Sequence, residues 1–131
     1  MIECLIIGDS IAKGIATHRP DCVSYSKVGI NSAQWNRKYY NLNVSAVNTI
    51  ISLGTNDKGV QTELELRGTR AIIKSERVYW ILPQNVEAQR IVRMIASDWG
   101  DIVLPVSKLS ADKIHPTGQG YKELAEKARE K

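Results

Sequence analysis

The sequence has little cysteine, little excess of either charge and no long apolar run, and each shortage removes a class of protein. Its two cysteines, Cys4 and Cys22, are too few for the disulfide framework of a small secreted domain. Both fall in strand-like segments, so a pair of buried free thiols is expected. No Cys-x-x-Cys or His-x-x-x-His spacing occurs, which argues against a metal site. No apolar run approaches the ~20 residues of a membrane span, and the N-terminus lacks a basic segment followed by a small-residue cleavage site. This predicts no membrane insertion and a soluble, cytoplasmic protein, with action outside a cell open only through delivery by a phage, a lysis event or a fusion partner.

Basic residues exceed acidic ones by 18 to 14, but no stretch concentrates the excess and no aromatic residues interleave with it. A nucleic-acid partner is therefore not expected. The longest charged stretch, KELAEKAREK at 122–131, mixes both signs and reads as a solvated helix face. What remains is ordinary globular composition, 43% hydrophobic and 24% charged, over 131 residues. That suits a single domain over 1–131, and no repeat, linker or low-complexity segment divides it.

Strand-like and helix-like segments alternate along the chain. Strands are predicted at 2–8, 22–28, 44–54, 77–83 and 101–106, the last two as RVYWILP and DIVLPV. Between and after them, helices are predicted at 11–18, 32–40, 62–76, 86–99 and 120–131. Thr62 with Glu65 has the spacing of a capping box. Trp35 and Tyr39 share one side of their helix. Ala88, Ile91, Val92, Ile95 and Trp99 recur at helical spacing, as do Tyr121, Leu124, Ala125 and Ala128, so each set should face a sheet. Alternation of this kind implies right-handed crossovers, hence an α/β fold: a five-stranded parallel sheet in a three-layer α/β/α sandwich.

In such a sheet, sites form beyond the carboxyl ends of the strands. GDS (8–10), GINS (29–32), GTND (54–57), PQN (83–85) and SKLSADKIHP (107–116) all fall there. Acyl transfer needs a nucleophile, a base, a group that orients the base, and donors for the oxyanion. Ser10 offers a hydroxyl in a sharp strand-to-helix turn, although Asp9 and Ser10 are equally residues that cap helices. Asp112 and His115 share one loop, close enough for the carboxylate to orient the imidazole toward Ser10. Asn56 offers a side-chain N–H₂, and the backbone N–H groups of Ser10 and Gly29 complete a candidate oxyanion hole. Each residue has a plainer reading: Asn56, Asp57 and Gly59 as turn formers, Gly29 as a strand end, Asp112 and Thr117 as caps of the last helix. His18, at a helix end, is given no role. The chain order Ser, Asp, His is that of other α/β hydrolases, but the Gly-x-Ser-x-Gly elbow is absent.

These blocks resemble the SGNH, or GDSL, hydrolases, whose four motifs are named for Ser, Gly, Asn and His. GDS at 8–10 is similar to the nucleophile block, KVGINS at 27–32 to the glycine block, GTND at 54–57 to the asparagine block and DKIHPTGQGYKELA at 112–125 to the Asp-x-x-His block. The second block departs from the pattern, with Asn31 and Ser32 where a further glycine is often found. The resemblance implies a flavodoxin-like α/β/α fold and a serine esterase that works without metal or cofactor. Its catalytic residues would be Ser10, Asp112 and His115, and its oxyanion hole Ser10, Gly29 and Asn56. A short acyl ester, O-acetyl on a carbohydrate, is expected, because the loops look short and the rim polar, with Asn31, Lys58, Gln84 and Asn85. Trp35 and Trp80 are the apolar exceptions near those loops. The alternatives are a thioesterase or lysophospholipase-like enzyme on longer chains, and a flavodoxin-like binding module without chemistry.

Overall fold

The computed structural model describes residues 1–129. Five strands, β1 (Ile2–Gly8), β2 (Cys22–Ser26), β3 (Ser45–Ser52), β4 (Lys74–Ile81) and β5 (Ile102–Leu104), form one parallel sheet in the order β2-β1-β3-β4-β5. The helices are α1 (Ser10–Ala16), α2 (Ser32–Lys38), α3 (Thr62–Ala71), α4 (Val86–Trp99) and α5 (Gly118–Lys127). This is the α/β fold expected. Central strands covered on both faces should be apolar throughout, and β1 is buried without a break from Cys4 to Gly8.

Two cores flank the sheet. Trp35 of α2, Leu66 of α3 and Ile91, Val92 and Ile95 of α4 pack on one face with Leu5, Ile7 and Ile51. Ile11, Ala12 and Ile15 of α1 pack on the other with Leu124 and Ala125 of α5 and with Ile6 and Ile50. The direction of winding reverses between β1 and β3, and ligand sites of open α/β sheets form at such a switch point.

Several local expectations are corrected. Cys4 and Cys22 are not free thiols but a disulfide, because β2 lies beside β1 in a register that sets the two residues opposite each other. The capping box is not Thr62 with Glu65. Gln61 precedes α3 without a side-chain bond, and the Thr62 hydroxyl turns back to donate to Gly59 O. The box sits instead on α2, where Asn31 accepts from Gln34 N and Gln34 accepts from Asn31 N. Trp99 does not join the core. It is 49% exposed, with the Arg70 guanidinium stacked 4.1 Å from its ring centroid. Trp35 and Trp80 are fully buried rather than near the rim, each with its indole N–H satisfied inside, on Tyr25 O and on Asp101 Oδ2. α3 ends before 76 and β4 starts before 77, while β5 stops two residues short of 106. The expected last helix at 120–131 starts earlier, at Gly118, and ends earlier, at Lys127, with 130–131 outside the described residues.

Candidate active site

The turn after β1 is fixed by close contact with β3. Gly8 has φ +139, and a Cβ there would lie 1.9 Å from Ser52 O, so no side chain fits. The next residue settles which side chain caps α1. Asp9 accepts from Ile11 N (3.0 Å) and Ala12 N (3.5 Å), and its own N–H donates to Ser52 O. With capping taken by Asp9, the Ser10 hydroxyl has no duty to its own helix. It instead lies 2.9 Å from His115 Nε2, across 105 positions of sequence.

His115 is held by the loop between β5 and α5. Leu109 and Pro116 bridge its two arms, Ser110 N donates to His115 O, and Thr117 caps α5 by accepting from Gly120 N. Lys113 takes a left-handed φ of +59, the one non-glycine residue with positive φ among the described residues. The turn wraps Asp112 Oδ1 with three donors: Ile114 N, His115 N and Ser110 Oγ, at 2.8–2.9 Å. Oδ2 stays free for His115 Nδ1 at 2.7 Å. The backbone N–H of His115 first, then its ring, hold the Asp112 carboxyl well below the usual carboxylate range. Side-chain exposure of 40% for His115 and 48% for Asp112 leaves this end of the chain open to water. Asp112 therefore caps nothing in α5 and serves the imidazole.

Asn56 and Gly29 sit on the loops after β3 and β2. The Asn56 side chain donates to Ile30 O at 3.1 Å, which uses one of its two N–H bonds. Gly29 occupies the third position of a turn closed by Ile30 N to Lys27 O, and its φ of +79 is the conformation that position demands of glycine. The loop is tied to the first strand's end by Lys27 N donating to Gly8 O. All five sequence-predicted site residues thus lie at the carboxyl edge of the sheet. Asn31 and Asn85, expected on a polar rim, spend their side chains on capping α2 and α4, whereas Lys58 is exposed and Gln84 partly so.

Two contributors escaped the sequence reading in their roles, Asp57 and Ser110, and a third, Tyr121, was read there only as facing the sheet. Buried Asp57 joins the asparagine and glycine blocks by accepting from Ser32 N at 2.9 Å and from Ser32 Oγ. Ser110 supports Asp112. Tyr121 presses its ring on Gly14, where an added Cβ would come within 2.3 Å of it, and burial raises its phenol pKa. Asp57 had a signal in its position after Asn56, but nothing local identifies Ser32 as its partner. Cys4, Asp21 and Cys22 bring three ligand atoms together, yet the two sulfurs are bonded to each other and so withdrawn from metal chemistry. Among the described residues, no helix is long and apolar enough to cross a membrane.

No protein-family model and no curated protein matches the sequence. Solved structures do match its fold. A candidate acylhydrolase from Bacteroides fragilis is 17% identical over 95% of this chain and 83% of its own, with TM-score 0.66. A candidate GDSL-like lipase from Bacteroides uniformis is 13% identical over 95% and 92%, with TM-score 0.65. The C-terminal catalytic domain of Streptococcus pneumoniae peptidoglycan O-acetyltransferase A, solved with a methylsulfonyl adduct, is 15% identical over 95% and 89%, with TM-score 0.59. The chain shares the fold of these three structures.

Proposed function

We propose that the protein is a serine esterase of the SGNH type that removes a short acyl group, O-acetyl, from a carbohydrate. The observation that carries this reading is the unbroken chain Ser10 Oγ, His115 Nε2, His115 Nδ1, Asp112 Oδ2, at 2.9 and 2.7 Å. Asp112 keeps the proton of neutral His115 on Nδ1, which leaves Nε2 free to accept. Ser10 Oγ attacks the acyl carbonyl as its proton passes to Nε2. The carbonyl oxygen takes the negative charge and is held by the N–H groups of Ser10 and Gly29 and by the second N–H of Asn56. His115 returns the proton to the leaving sugar hydroxyl, which departs as the acyl-enzyme forms. Water, deprotonated by His115, attacks that ester, and Ser10 leaves with the proton.

The exposure of His115 and Asp112 favours a small acyl group. A buried methylene is worth ~0.8 kcal/mol only where apolar surface covers it, and Trp35 and Trp80, which could have supplied such surface, lie in the core. Acyl transfer to a second hydroxyl uses the same residues, and the likeness to an O-acetyltransferase domain favours testing it beside hydrolysis. A fluorophosphonate probe should label wild type and not Ser10→Ala, while 4-nitrophenyl esters should show kcat/KM falling from two to four to eight carbons. Labelling of folded Ser10→Ala would reject the nucleophile, and a maximum at eight carbons would reject the short acyl group in favour of a lipid or thioester substrate.

A further inference from the structure

A cavity of about 360 Å³ adjoins the candidate oxyanion loop, lined by Lys27, Val28, Gly29, Ile30, Gln34 and Lys38. Its volume lies in the roughly 300–1,000 Å³ range of small-ligand sites. The wall is the same turn that carries Gly29 and accepts the Asn56 amide at Ile30 O. Ser10, Asn56 and His115 do not line the cavity, so the Gly29–Ile30 turn is its link to the proposed oxyanion hole, and an extended ligand such as an oligosaccharide is needed to reach both.

The lining has one sign of charge. Lys27 stands on the turn, and Lys38 follows Gln34 by four residues on α2, so the two helix side chains are neighbours on one face. No acidic residue lines the cavity, and among the described residues neither lysine forms an ion pair. The Lys38 ammonium lies 5.7 Å from the Tyr39 ring centroid, and two lysines along one concavity raise the local concentration of anions. Val28, 64% exposed, adds apolar surface to the same lining, suited to the face of a sugar ring.

We infer that this cavity is a subsite for the carboxylate of an acidic sugar, which makes the substrate an O-acetylated acidic glycan. The inference rests on the esterase reading of Ser10 for its acetyl group, but its charge argument is independent of turnover. The test is binding of two glycans to Ser10→Ala protein: an O-acetylated oligogalacturonate and an O-acetylated xylo-oligosaccharide of equal length. The acidic glycan should bind at least ten-fold tighter at low ionic strength, and the preference should shrink as salt rises. Lys27→Gln with Lys38→Gln should abolish the preference. Arg93→Gln with Lys122→Gln, which removes two exposed charges elsewhere, should retain it. Equal binding of the two glycans, or a preference that survives loss of both lysines, would overturn the subsite. Lysine-dependent binding in a protein whose wild type hydrolyses no ester would sink the esterase reading and leave the subsite standing.

Discussion

Asp9 and Asp112 are two carboxylates of one site, and their surroundings drive them in opposite directions. Asp9 is 1% exposed, and among the described residues its Oδ2 has no hydrogen-bond partner. Burial pushes its carboxyl up to about 6, against the smaller opposing pull of Ser52 and the α1 backbone. Asp112 lies in water with donors on both oxygens, and its carboxyl is held down. The difference teaches which carboxylate is suited to face an imidazole. A group that must stay ionised while a proton moves beside it is best placed where hydrogen bonds, not burial, decide its charge. Asp9 has a different task, holding the turn that presents Ser10.

The sharpest way to break the comparison is Asp112→Asn. The amide would present an N–H to Nδ1, force the imidazole proton onto Nε2 and leave Ser10 without an acceptor. kcat should fall by roughly 10⁴, with little change in Tm because the side chain is exposed. A loss below ten-fold would mean that another group orients His115. Asn56→Ala should lower kcat by about 10²–10³, the range for one side-chain oxyanion donor, with KM nearly unchanged. It also removes the bond to Ile30 O, so a rise in KM with unaltered kcat would assign Asn56 to the loop rather than to the reaction.

The smallest effect concerns Asp9 and is read in stability. Its folded-state pKa stands above the unfolded value of 3.8, so its contribution is fully present below about pH 4 and is lost as pH rises through about 6. The loss approaches roughly 3 kcal/mol, from 1.36 kcal/mol per pKa unit. Asp9→Asn keeps an acceptor for Ile11, Ala12 and Ser52 and cannot ionise. Denaturant unfolding should therefore show the variant gaining on wild type between about pH 4 and about pH 6, and levelling off above that. A constant difference would show that water reaches Oδ2.

The candidate triad was legible as a proposal in the sequence because each of its turns is a local object. GDS closes an apolar strand, and Asp112 and His115 are three residues apart, so one loop must carry both. Strands and helices were readable for the same reason, β1 as an unbroken apolar run and α4 by its period. Pairings between distant segments were not. Cys4 meets Cys22 only because β2 becomes the neighbour of β1, and Asp57 meets Ser32 only because two loops converge after the sheet forms. Trp99 kept the helical period but lies at the last turn of α4, where Arg70 covers its ring instead of the core. Gln61 rather than Thr62 takes the N-cap position of α3, and the Thr62 hydroxyl bonds Gly59 O instead, a contact invisible in a four-residue spacing.

Once formed, the Cys4–Cys22 link also constrains the unfolded chain. Its 18-residue span encloses the Gly8–Asp9–Ser10 turn and all of α1. Even with every strand melted, that stretch would persist as a closed ring, and on chain-entropy grounds closing a loop of this length stabilises the fold by about 3 kcal/mol. The serine thus travels on a covalent hoop that limits how far its segment can wander from β1's eventual neighbour. Such a hoop lasts only where thiols stay oxidised, so the presentation of Ser10 is coupled to the redox poise of its surroundings.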